Sequence, residues 1–128
     1  MKHWLRKVLQ ELQPFLDASL DEKYVYLRVP SSVVLKIQKH LPKKALSERF
    51  VTYSPLGDSI SPSVSDFLEV AQDVIFFSLF IDSWSRFYIR GIAVDEEKAI
   101  PVLRKLLKSP TTPPYGVSYN NRTIFVWW

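Results

Sequence analysis

The sequence predicts an α+β fold. A single domain over residues 1–128 should hold an antiparallel sheet of four to five strands, with three to four helices packed mainly on one face and a β-hairpin at the end. Three observations lead there. Stretches with helical spacing of apolar residues are interleaved with stretches that alternate. Short turn signals join neighbouring alternating stretches, which suits antiparallel pairing. The last residues, from Tyr115 to Trp128, form two alternating runs around Asn120-Asn121.

The elements follow in chain order. Trp4, Leu5, Val8, Leu9, Leu12, Phe15 and Leu16 fall at helical spacing, so residues 2–18 read as an amphipathic helix that could stand as an appendage. Pro14 should kink or end it, because proline removes a hydrogen bond and clashes with the preceding turn. Lys23 to Val29 reads as a strand, with Tyr24, Tyr26 and Arg28 alternating against Val25, Leu27 and Val29. Pro30 stops it. Ser31 or Ser32 then caps a helix from Val33 to Leu41, and Pro42 ends that helix. Lys43 to Phe50 suits another short helix. Ser54 to Ser63 is a loop punctuated by Pro55, Gly57 and Pro62.

Ser61 and Pro62 supply a helix start for a run that reaches about Gln72. Val74 to Ile81 is read as a strand, since Val, Ile and Phe favour that state. A turn at 82–85 leads into Arg86 to Ile92, where Tyr88, Arg90 and Ile92 alternate against Phe87, Ile89 and Gly91. Asp95 to Lys108 reads as a helix with acids first and bases last, matching the helix dipole. Asn-Asn at 120–121 suits a two-residue hairpin turn because Asn tolerates positive φ. A winged-helix order of helix, strand, helix, helix competes for the first fifty residues, but the long middle segment fits it poorly.

Composition narrows the function classes. A chain of 128 residues can bury about two-thirds of its unfolded surface. It contains no cysteine, which excludes disulfide scaffolds, thiol nucleophiles and thiolate metal sites. His3 and His40 lie far apart, and no metal-ligand spacing appears. The three glycines are isolated, so no phosphate-binding loop is present. No nucleophile constellation is visible. The expectation is a non-enzymatic protein with no cofactor and no metal. Charged residues interrupt the apolar runs near the N-terminus, and Val74 to Ile81 is too short to span a membrane. A cytoplasmic protein is expected.

Charge is segregated. Up to Phe50 there are ten basic residues against five acids, and from Gly91 five against three. Between Arg49 and Arg86 there is no Lys or Arg, while Asp58, Asp66, Glu69, Asp73 and Asp82 fall in that gap. A polarised surface of this kind suits a charged partner.

Three sets of candidate residues follow. Lys36, Lys39, Lys43, Lys44 and Arg49, with His40 beside them, concentrate positive charge that suits phosphates or an acidic protein. The plainer reading is a solvated face with cations near a helix end. Arg86, Tyr88 and Arg90 point one way on a strand, a chemistry similar to surfaces that stack bases and clamp phosphates. Here the plainer reading is an ion pair with Asp73 or Asp82. Trp84, Trp127 and Trp128 are candidate partner anchors if exposed, and core residues if not.

Asp66, Glu69 and Asp73 share a helical face, most simply a solvated one. Two functions are carried forward. The favoured one is a protein-interaction module, a subunit, adaptor, inhibitor or self-associating protein, with the C-terminal strand on a sheet edge. The alternative is a nucleic-acid-binding protein.

Overall fold

A computed structural model describes residues 2–15 and 25–128. Helix α1 (His3–Leu12) buries Leu5, Val8 and Leu12 and passes into a single 3-10 turn at Gln13–Phe15. Pro14 sits in that turn, so the α-helix stops earlier than the expected 2–18. Residues 16–18, and the expected strand start at Lys23 and Tyr24, lie outside the described residues. Strand β1 (Val25–Pro30) leads directly into α2 (Ser31–Ile37), a 3-10 turn at Gln38–His40, and α3 (Lys43–Leu46). No serine side chain caps α2. The Ser31 N–H donates instead to the Ile75 carbonyl at 3.1 Å, which pins the helix start to the chain beside it.

The expected loop at 54–63 is the tip of a small ladder, β2 (Val51–Thr52) with β3 (Ser59–Ile60). Helix α4 (Val64–Glu69) is capped by Ser63 rather than Ser61. The Asp66 N–H donates to the Ser63 hydroxyl, and the Ser63 N–H donates back to the Asp66 carboxylate, a reciprocal capping box. A 3-10 turn at Ala71–Asp73 then delivers β4 (Phe76–Ile81), which turns into β5 (Phe87–Asp95). Helix α5 (Ala99–Leu106) starts later than expected because Asp95 still pairs in β5. Pro101 falls in its first turn, where backbone N–H groups have no intrahelical partner to lose. Strands β6 (Gly116–Asn120) and β7 (Thr123–Trp127) close the chain.

The main sheet is antiparallel with the order β1-β4-β5-β7-β6. Because β1 pairs with β4, the first fifty residues are not a winged-helix unit of their own. The terminal strand β7 lies inside the sheet, and its hairpin partner β6 forms the edge. The hairpin turn is Asn121-Arg122, with φ of 49° and 68°, one residue beyond the Asn-Asn expected. Pairing with β5 sets the phase of β7, placing Ile124 opposite Val94 and Val126 opposite Ile92. Arg122 is held in the turn by Glu96 and Glu97, each at 3.4 Å.

One face of the sheet makes the core. Phe77, Leu79 and Ile81 of β4 join Phe87, Ile89, Ile92 and Val94 of β5, Val126 of β7 and the adjoining Trp128. All five α-helices add side chains to this cluster, among them Leu5, Val34, Ala45, Phe67 and Val102. Phe67 of α4 meets Phe77 and Trp128 edge-on at 6.0 and 5.8 Å. The arrangement is therefore α+β, and the described residues hold five α-helices where three to four were expected. No described helix is long and apolar enough to cross a membrane.

Candidate binding groove

Among the described residues no α-helix lines the groove on the other face of the sheet, and the residues there are unlike those beneath the helices. The pairing register sets Arg28, Ser78, Gly91, Trp127 and Gly116 in one row across all five strands. The neighbouring row runs Pro30, Phe76, Ala93, Phe125 and Ser118. In the first row Ser78 and Gly91 lie between Arg28 and Trp127, and in the second Ala93 lies between Phe76 and Phe125. The result is an open groove of about 650 Å³ lined by Phe15, Arg28, Ser78, Arg90, Phe125 and Trp127, with Ser118 at its edge.

Two backbone features shape it. A β-bulge lies where Ser78 faces Gly91 but Leu79 faces Ile89, leaving Arg90 as the extra residue. Strict alternation would have put Ile92 beside Tyr88 and Arg90. The bulge shifts the phase, so Ile92 enters the core and Arg90 and Gly91 both belong to the open side. The second feature is close approach. A Cβ on Gly116 would overlap the Trp127 ring and lie 2.7 Å from its Nε1, so the indole rests directly over that glycine.

Both arginines of the groove lie over aromatic rings. The Arg28 guanidinium is 5.2 Å from the Phe76 centroid and 5.7 Å from that of Phe125, and those rings are 5.8 Å apart. The Arg90 guanidinium is 5.0 Å from the Phe50 centroid, and its Nε donates to the Trp128 carbonyl at 3.1 Å. Phe50 also meets Phe80 and Tyr88 edge-on, closing that end of the open face. Among the described residues no Asp or Glu side chain lines the groove or pairs with either arginine, and the Trp128 main-chain oxygen takes the Arg90 Nε. Ring stacking orders a guanidinium yet leaves its N–H edges free for an incoming anion.

The candidate residues named from sequence are dispersed. Arg86 is joined to Asp82, with Nε 3.0 Å from Oδ2, and lies 4.9 Å from the Trp84 ring. Tyr88 is nearly buried and its hydroxyl donates to the same carboxylate oxygen at 3.3 Å. Burial first, then the Asp82 charge, pushes the Tyr88 phenol up to about 12. Arg86 and Tyr88 thus belong to a turn knitted by Asp82, while Arg90 points into the groove beyond Phe50.

Lys36, Lys39, Lys43 and Lys44 are exposed on the helical side. Lys44 and Arg86 do converge, with Lys2, Trp4 and Phe87, on a smaller cleft of about 270 Å³ that also holds Glu48. His40 faces Glu11 at 3.9 Å. Arg49 is occupied structurally: it donates to the Ser61 carbonyl and the Thr111 hydroxyl and sits 3.5 Å from Asp66. The acidic helix face is not simply solvated either, since Lys108 contacts Asp66 at 3.2 Å and Glu69 at 3.6 Å.

The three tryptophans differ sharply. Trp84 is 73% exposed, Trp127 is half-buried at the groove, and Trp128 is 1% exposed. Trp128 is therefore corrected from candidate anchor to core residue. Its indole N–H donates to the Thr112 carbonyl at 2.8 Å, and its ring packs on Phe67. Arg28, Phe76, Phe125, Ser78 and Gly116 were missed as site residues. The alternation of Arg28 in its strand was visible, but its row partners depend on strand pairing that no local pattern carries.

Among the described residues no group of three or more acids and histidines could hold a metal ion. No family model, curated protein or solved structure matches the chain.

Proposed function

We propose that this chain is a non-enzymatic protein-interaction module that holds a short acidic segment of a partner protein in the open-face groove. The observation that carries this reading is the row Arg28, Ser78, Gly91 and Trp127. It places the small residues Ser78 and Gly91 beside the aromatic Trp127, with the Arg28 guanidinium brought in over the Phe76 and Phe125 rings. Three strand spacings, roughly 14 Å, separate the main chain at Arg28 from that at Trp127, and the Arg28 side chain reaches back across them over the Phe76 and Phe125 rings. A carboxylate can pair with Arg28 and another with Arg90, while an apolar partner side chain packs on Trp127.

Nucleic acid is the second reading, favoured by the guanidiniums stacked on Phe rings beside Trp127, a pattern that suits bases and phosphates. It is weaker for a geometric reason. The Lys36–Lys44 cluster lies on the helical side of the sheet and the arginine groove on the other, so one short strand cannot use both. Two phosphate contacts alone give little affinity.

The test is fluorescence anisotropy with three labelled probes: an acidic peptide containing aromatic residues, its Gln/Asn counterpart, and a mixed-sequence single-stranded oligonucleotide. The acidic peptide should bind the wild-type chain, bind Arg28→Ala and Arg90→Ala at least tenfold more weakly, and outcompete its neutral counterpart. Oligonucleotide binding lost in the same variants, with no peptide binding, would replace this reading with the second. Peptide binding indifferent to both substitutions would refute the groove.

A further inference from the structure

We propose that the outer edge of β6 pairs with β6 of a second copy of this chain, antiparallel and across a two-fold axis at Ser118. The argument is independent of the groove's ligand and begins with hydrogen-bond phase. In a hairpin with a two-residue turn, the residues flanking the turn exchange hydrogen bonds with each other. Here they are Asn120 and Thr123. Alternation then gives Ser118 to Phe125 and Gly116 to Trp127, leaving the N–H and C=O groups of Val117 and Tyr119 directed outward. Among the described residues nothing pairs with β6 on that side.

The side chains suit a self-pairing. Val117 is 60% and Tyr119 62% exposed, and both belong to the helical face of the sheet through their partners Val126 and Ile124. In the two-fold arrangement each Val117 lies opposite the Tyr119 of the other copy. The pair is apolar, occurs twice and aligns all four outward-directed residues for main-chain bonding. The Tyr119 hydroxyl donates to Glu96 at 2.9 Å, so the ring is already oriented.

Exposed edges usually carry a charge, a proline or a bulge that blocks pairing. Residues 116–120 have no charge, no proline and no register shift. The opposite edge is guarded, since β1 holds Arg28 and ends in Pro30. An axis perpendicular to the sheet keeps the faces matched. Two grooves would then open on the same side of a ten-stranded sheet.

Light scattering across protein concentration, at low and moderate salt, tests this. The mass should rise toward twice that of the monomer and depend little on salt, because residues 116–120 carry no charge and the nearby Glu96 is already paired with Arg122. Val117→Glu should weaken self-association roughly tenfold or more by placing an unpaired charge opposite Tyr119. Adding Tyr119→Lys to that variant should restore it, because position 117 of one copy faces position 119 of the other. A wild-type chain that stays monomeric at the highest concentration overturns the proposal. So does a dimer indifferent to Val117→Glu, or a double variant that stays as weak as the single one.

Discussion

Replacing Gly116 with alanine should switch the groove off while leaving the fold in place. The added Cβ would overlap Cζ2 and Cε2 of Trp127 and sit 2.7 Å from Nε1. Non-bonded carbon contacts settle near 3.5–4.0 Å, so the indole has to move by roughly 1 Å or more. What gives way is the far end of a half-buried side chain, not backbone. The strain should stay at the low end of the about 1–3 kcal/mol typical of overpacking.

Gly91 is the internal contrast. A Cβ there would meet the Val126 carbonyl oxygen at 2.5 Å and the Trp127 Cα at 3.1 Å, both main chain, so Gly91→Ala should loosen the β5–β7 ladder itself. The assay is a heteronuclear NMR spectrum with chemical denaturation. Gly116→Ala should shift the Trp127 indole resonance, keep a cooperative transition and weaken the acidic peptide. Gly91→Ala should lower the midpoint more. An unmoved indole resonance with full peptide affinity in Gly116→Ala would refute the idea that this glycine seats the groove wall.

Other outcomes follow from the same geometry. Trp128→Ala should cost about 3–5 kcal/mol for the cavity, plus about 1 kcal/mol for the abandoned Thr112 carbonyl. That lowers the thermal midpoint by roughly 10 °C or more. Trp84→Ala should cost less than about 1 kcal/mol, since only the Arg86 stack is lost. Equal costs would contradict the assignment of core and surface tryptophan. Alkaline pH should expose the Tyr88 environment. Its folded-state phenol is raised from 10 to about 12, so the native chain keeps a proton that the unfolded chain releases. Stability is then complete below pH 10 and declines from pH 10 to 12, by about 2–3 kcal/mol. Tyr88→Phe, compared by denaturation across that window, should flatten the decline.

Local signals carried most elements because local physics makes them. The β4–β5 hairpin and the terminal hairpin each rest on residues within a few positions of one another, whereas the α4 cap is Ser63, two residues beyond the Ser61 expected. The misplacements have physical causes of another kind. Arg90 and Ile92 were assigned to one side because alternation has no means of announcing a bulge, which exists only through pairing with β4. The α2 start was given to a serine cap, yet a distant carbonyl, Ile75, satisfies the first N–H. Arg49 read as a free cation, but the chain brings Ser61, Asp66 and Thr111 to it. The groove was illegible for the same reason. Its row joins residues 28, 78, 91, 127 and 116, and only the strand order makes them neighbours.

Strand β6 links the two proposed surfaces physically. Gly116 lies beneath the Trp127 indole and Ser118 lines the groove, while the outward groups of Val117 and Tyr119 face the edge. An edge strand with one neighbour is the least restrained part of a sheet, since half of its main-chain groups bond only to water. A second copy paired along that edge would restrain the strand and hold Gly116 under the indole. Ordering of this kind makes later binding cost less entropy. By reciprocity, a ligand that orders the groove should favour pairing by the same factor. If both proposals hold, the acidic peptide lowers the concentration at which the mass doubles, and Val117→Glu weakens peptide binding despite lying on the opposite face. If the mass curve is unchanged at saturating peptide, the two surfaces act independently and β6 transmits nothing between them.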